Sequence, residues 1–140
     1  MYFLLFFVIL SSCSPKEVYD YQLVKRQNIT YEINSNNPFK GCAITLDSNN
    51  KKYVKTCFKK GFPYYGEKYH PNSQINLKFK ILLKDETTTS IEFSECYHIN
   101  GQVCFNKETN EHFAENGSVI SMEYFADQYS FVTDFEYLNF

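Results

Sequence analysis

The sequence predicts an all-β chain, an antiparallel meander of repeated β-hairpins. Three observations predict it. A seven-residue phrase recurs, as YHPNSQI at residues 69–75, YHINGQV at 97–103 and, more loosely, FAENGSV at 113–119. The segments beside these phrases alternate apolar and polar residues with period two. No segment shows the three-to-four-residue apolar spacing of a helix.

Residues 2–10 form an unbroken apolar run. It is shorter than the about 20 residues that cross a bilayer, and it has the length of a secretory h-region. Leu10-Ser11-Ser12-Cys13 follows and resembles the bacterial lipobox. That resemblance implies cleavage before Cys13, lipidation of its sulfur and attachment to a membrane, where each buried CH₂ is worth about 0.8 kcal/mol. The expected organisation is a lipoprotein-type signal over 1–12, a tether and first strand over 13–27, and a hairpin repeat domain over 28–140. The location is the cell envelope, on the periplasmic or surface side of a bacterial membrane.

Cysteine usage agrees with export. Beyond Cys13 there are four: Cys42, Cys57, Cys96 and Cys104. An even number in a small exported chain suggests two disulfides. Three pairings are arithmetically open, and the two local bridges are Cys42–Cys57 and Cys96–Cys104. No C-x-x-C occurs and the three histidines, His70, His98 and His112, are scattered. No metal or cofactor is expected.

Net charge is −2, so nothing global points to nucleic acid. The charge is uneven, however. Residues 49–70 carry six lysines and one acid, whereas 107–140 carry seven acids and one base. Such a dipolar chain can steer a partner or set a basic edge against anionic headgroups.

Asn-Gly is a strong hairpin signal. With Ile99-Asn100-Gly101 as a three-residue loop, Gly101 takes the left-handed position that its missing Cβ permits, with a bulge. Residue 98 then faces 102, Tyr97 faces Val103, and Cys96 faces Cys104. The same register sets Tyr69 opposite Ile75 and Phe113 opposite Val119. A two-residue turn at Asn49-Asn50 would place Cys42 opposite Cys57, at a hydrogen-bonded pair where the Cα atoms lie farther apart, a geometry that a longer loop or a bulge would relieve. Ile75, Leu77, Phe79, Ile81 and Leu83 alternate with Asn76, Lys78, Lys80 and Lys84, and only Leu82 breaks the polar side. Ile91, Phe93, Tyr97 and Ile99 are expected on one face, with Glu95 the exception. Tyr129, Phe131, Phe135 and Tyr137 suggest a further strand. The turns recur about every 22 residues, and the late copy at Asn100 implies an insertion around residues 84–90.

Asn37-Pro38-Phe39-Lys40-Gly41, Phe58-Lys59-Lys60-Gly61, and Gly66-Glu67-Lys68-Tyr69-His70-Pro71-Asn72-Ser73-Gln74-Ile75 together resemble the MORN-repeat-variant family. That family includes bacterial proteins labelled YwqK-type antitoxins. The likeness covers about residues 28–126. Ser73 stands where the family has its turn glycine, and Lys40 where it has a small hydroxyl residue. The resemblance implies a single-layer antiparallel sheet of hairpins that associates with proteins or membranes.

No nucleophile elbow, phosphate loop or paired metal motif occurs. His70 and His98 recur at one repeat position, which points to turn stacking rather than to a catalytic base. The expected function is therefore a non-catalytic binding module for a protein or cell-envelope partner, anchored to a membrane. Lys51, Lys52, Lys55, Lys59, Lys60, Tyr64 and Tyr65 are its candidate contact residues. Two alternatives remain open: a periplasmic immunity or antitoxin protein that neutralises an exported toxin, and a structural envelope lipoprotein.

Overall fold

The computed structural model describes residues 14–83 and 89–121. The lipobox cysteine Cys13, the insertion at 84–88 and the expected strand around residues 129–137 lie outside them. Eleven strands and a single 3₁₀ turn at Asp20–Gln22 make up the described chain. The strands are β1 (Glu17–Tyr19), β2 (Leu23–Arg26), β3 (Ile29–Glu32), β4 (Gly41–Leu46), β5 (Lys52–Lys59), β6 (Phe62–Tyr69), β7 (Ile75–Leu83), β8 (Thr89–Cys96), β9 (Phe105–Asn106), β10 (Glu111–Phe113) and β11 (Val119–Ile120).

The main sheet has the order β1-β4-β5-β6-β7-β8, and β4 to β8 are an antiparallel meander of sequence neighbours. One strand departs from the meander: β1 pairs in parallel with β4 at the edge. The β2–β3 ribbon and the small sheet β11-β10-β9 stand as separate ladders. Residues 27 and 28, where a domain boundary is expected, are the two central residues of the β2–β3 turn. Both have positive φ, as a type I′ hairpin turn requires.

Alternation gives the main sheet two unlike faces. On the first, Val18, Ala43, Phe58, Leu77, Phe79 and Ile81 are buried. Leu23 of β2 and Phe39 close this face at the β1–β5 end, where Val18, Leu23, Phe39, Ala43 and Phe58 form one cluster. At the β7–β8 end, Leu77, Phe79, Ile81 and both cysteines 96 and 104 form the other, with Ile91, Phe93, Phe105 and Ile120 packed against it. The second face is charged.

Two glycines let segments meet. Gly61 sits at φ +78°, and a Cβ there would fall 2.4 Å from Ile29 and 2.9 Å from the Thr30 carbonyl oxygen. Its N–H donates to Phe39 O and its carbonyl accepts from Thr30 N–H, so three segments meet on one residue without a side chain between them. Gly66 lies opposite Phe79, whose ring occupies the space a Cβ would take.

Four loops follow one scheme. In 70–74, 98–102 and 114–118 the first N–H donates to the fifth carbonyl, and the fourth N–H to the first carbonyl. The fourth residue, Ser73, Gly101 or Gly117, has positive φ. The central asparagine, Asn72, Asn100 or Asn116, accepts the fifth N–H on its Oδ1 at 3.0–3.1 Å. These are the bends expected from the recurring phrase.

The loop at 47–51 has the same backbone frame, with Asn50 in the left-handed position. The expected two-residue turn is thus a three-residue loop, and a bulge at Tyr53 restores the register that pairs Cys42 with Cys57. The bulge also shifts the parity. Cys42 N–H donates to Lys16 O on the β1 side, so the cysteines form a non-hydrogen-bonded pair with Cα atoms 3.9 Å apart. Cys96–Cys104 is the hydrogen-bonded case, with Cys104 N–H on Cys96 O and Cα atoms 5.2 Å apart. Both local disulfides are present. A similar bulge at Ser94 corrects the expectation for β8. Ile91 and Phe93 face the core, but Tyr97 joins Glu95 on the charged face.

Candidate interaction face

Two rows of residues run straight across the charged face, perpendicular to the strands. The first is Tyr19, Ile44, Lys55, Glu67, Lys78 and Glu95, each opposite the next in register. The second is Glu17, Cys42, Cys57, Tyr65, Lys80 and Glu92. Neighbouring strands lie about 4.8 Å apart, so the alternating signs of the first row meet as cross-strand pairs.

Ion pairs form within the first row, between the two rows, and from the second row to β9's neighbour Lys107. Lys55 Nζ lies 2.6 Å from Glu17, Lys78 Nζ 2.8 Å from Glu95, and Lys107 Nζ 2.7 Å from Glu92. The hydrogen bond from Lys55 lowers the Glu17 pKa, and that from Lys78 lowers Glu95. Lys78 is raised in turn by its bond to Glu95.

Tyrosines frame the carboxylates. The hydroxyl of Tyr65 donates to Glu67 Oε1 at 2.8 Å, and that of Tyr69 to Oε2 of the same carboxylate. Burial and then the Glu67 bond push both phenols well above their ordinary range. Both hydroxyls therefore stay protonated donors at neutral pH. Tyr97 donates to Glu95 Oε2 at 3.2 Å. At the β1 edge the face dips into a recess of about 370 Å³ lined by Glu17, Tyr19, Gln22, Ile44, Leu46 and Lys52, among others. The rings of Tyr19 and Tyr21 stack beside it with centroids 5.4 Å apart, and Tyr21 is 70% exposed.

The residues singled out from sequence are dispersed. Lys55 and Tyr65 belong to the two rows. Lys52 sits by the recess, with its ammonium 5.3 Å from the Tyr69 ring centroid. Lys51 donates to Pro71 O at 3.1 Å in the neighbouring loop. Lys59 and Lys60 lie at the opposite end of β5, in its turn to β6, where Lys60 has positive φ. Tyr64 is the bulged residue of β6 and is half exposed. Sequence reasoning missed Glu17, Glu67, Lys78, Glu92 and Glu95. The signal lay in the polar side of β7 and the acids of β8, which become partners only once both hairpins are put in register.

The histidines serve the loops. Nε2 of His70 lies 2.8 Å from Tyr97 O, and Nε2 of His98 lies 2.7 Å from Phe113 O. A carbonyl only accepts, so each ring carries its proton on Nε2. The Asn76 amide packs beside His70, with Nδ2 2.9 Å from Nε2 and Oδ1 buried without a partner. A half-turn of that amide offers Oδ1 the imidazole proton. His112 is buried against the Phe105 ring, and burial lowers its pKa. Among the described residues no cluster of His, Cys, Asp or Glu is placed to hold a metal ion, and no helix is long and apolar enough to cross a membrane.

No protein-family model, curated protein or solved structure matches this chain. Its two disulfides suggest an oxidising, extracytoplasmic compartment.

Proposed function

We propose that this protein is an exported, membrane-anchored lipoprotein that acts as a non-catalytic binding module for a protein or cell-envelope partner. The observation that carries the reading is the charged face. One row of alternating charge, Lys55, Glu67, Lys78 and Glu95, crosses the sheet beside a second that ends in Lys80 and Glu92, with tyrosine hydroxyls held on the carboxylates and a mixed polar and apolar recess at one edge. A surface whose charges are already ordered loses little side-chain entropy when a complementary surface docks, and it rejects partners of the wrong charge pattern. The anchor is assigned to Cys13, on the wording of Leu10-Ser11-Ser12-Cys13. The likeness to MORN-variant repeats favours association over catalysis.

A photo-cross-linking residue at position 65, on the charged face, tests the reading in envelope extracts. A discrete adduct that disappears on Glu67→Lys, and does not form from a cross-linker at exposed Val119, is the expected result. Adducts of equal intensity from both positions would refute it. Mass spectrometry of the membrane fraction tests the anchor separately: a diacylated or triacylated Cys13 peptide is expected, and an unmodified Cys13 overturns it.

A further inference from the structure

The first residue of the four equivalent loops is not constant: it is Asp47, His70, His98 and Ala114 in turn. In 70–74 and 98–102 the first residue is a histidine that reaches across one strand to a carbonyl of the next loop. Its ring fills the gap between the two loops. In 47–51 that position is Asp47, whose carboxylate turns back instead. Its Oδ1 accepts from Asn49 N–H at 2.8 Å and Lys51 N–H at 2.9 Å, capping its own loop. The surroundings are otherwise in phase. Asp47 and His70 are 23 residues apart, as are the bulged residues Tyr53 and Asn76 that follow each loop.

Where a histidine would bridge this loop to the next, there is a cavity of about 280 Å³ lined by Asp47, Lys52, Tyr53, Lys68, Tyr69 and His70, among others. We propose that this cavity is a binding site for a planar, imidazole-sized ring bearing a ring N–H and an acidic substituent. The ring takes the place that His70 and His98 take in the next two gaps, and its N–H donates to the carbonyl of Tyr69, the counterpart of Tyr97 and Phe113. The acidic substituent faces Lys52 and Lys68, whose ammonium groups lie 5.3 Å from the Tyr69 ring centroid and 5.2 Å from that of Tyr53. Burial pulls Lys68 down to about 8, so an anionic group brought beside it is favoured by restoring the charged form. The Asp47 carboxylate is already taken up by two backbone amides, which moderates its repulsion of an acid. The site touches the charged face at Lys52 and Tyr69, whereas Asp47 and Lys68, the residues its test changes, lie outside both rows.

The test is a titration of the ¹⁵N-labelled full chain with imidazole, with imidazole-4-acetate and with acetate, read by amide shifts. Saturable shifts at Tyr53, Tyr69 and His70 are expected, with imidazole-4-acetate about tenfold tighter than imidazole, the increment of one charge-assisted contact. Asp47→His supplies the ring from within the chain and abolishes binding. Lys68→Met leaves the loop's own cap intact and narrows the preference for imidazole-4-acetate over imidazole, and Lys52→Met with Lys68→Met abolishes that preference, which keeps the proposal testable if Asp47→His fails to fold. Shifts that do not saturate, acetate binding as tightly as imidazole-4-acetate, or affinity undiminished in a folded Asp47→His chain would each overturn the proposal.

Discussion

The imidazole of His70 donates its Nε2 proton to the carbonyl oxygen of Tyr97, 27 residues away and 2.8 Å distant. His98 repeats the contact on Phe113, 15 residues on. Each histidine is a strut between successive bends. Its removal should be a stability effect. His70→Ala is expected to cost about 1–3 kcal/mol, because it leaves the Tyr97 carbonyl only the long contact from Asn76 Nδ2 at 3.5 Å and opens a gap between two loops. Urea denaturation measures it, and a midpoint equal to that of the wild type would show that the strut carries no energy.

Ser73 holds φ at +69°, in a place where the two later loops have glycine. A left-handed conformation costs a non-glycine residue about 1–2 kcal/mol, and glycine returns about 0.5–1 kcal/mol of that through unfolded-chain entropy. Ser73→Gly should therefore stabilise the fold by about 0.5 kcal/mol. Thermal melts should show a small upward shift in the midpoint, and a downward shift would refute the argument.

Gly66 faces the ring of Phe79, whose nearest carbon would lie 2.2 Å from a Cβ. Gly66→Val must push that ring out of the core. A loss of about 1–3 kcal/mol is expected. The double variant Gly66→Val with Phe79→Ala should lose less than the two single losses added together, because the clash is gone. A double-mutant cycle in urea reads this directly.

Burial lowers the pKa of His112. The unfolded chain therefore binds the proton more readily than the native one. The stability due to neutral burial is complete above the unfolded value of about 6.5 and declines as pH falls below it. The depressed carboxylates Glu17 and Glu95 act in a lower window, at and below about 4.5, where their ion pairs are lost on protonation. Thermal melts between pH 7 and 5 should slope downward, and His112→Leu should flatten that slope while leaving the acid limb below pH 4.5 in place.

Cys42–Cys57 ties β4 to β5 across 15 residues, and Cys96–Cys104 ties the end of β8 to the segment before β9 across 8. In the chain-entropy model each contributes about 3 kcal/mol. Reduction should lower the urea midpoint of the wild type strongly. The Cys42→Ala, Cys57→Ala double variant should lose about half of that effect, and equal midpoints with and without reductant would contradict the model.

The recurring phrase was enough, by itself, to specify the bends. Asn followed by glycine or serine sets a left-handed residue, the asparagine side chain caps it, and the register of the following residues places Tyr97 on Val103 and Cys96 on Cys104. These are short-range consequences of backbone sterics and alternation, so they were legible without coordinates. What tertiary structure alone decided depends on inserted residues and on strands far apart in sequence. The bulges at Tyr53 and Ser94 each add one residue to one strand. That single residue turned Cys42 and Cys57 into a non-hydrogen-bonded pair and moved Tyr97 to the side of Glu95. The parallel docking of β1 brought Glu17 to Lys55, and lateral pairing alone aligned Lys55, Glu67, Lys78 and Glu95. A period of two tells which residues share a face of one strand. It carries no information about which strand lies alongside, because that choice is set by burial of the opposite face as a whole.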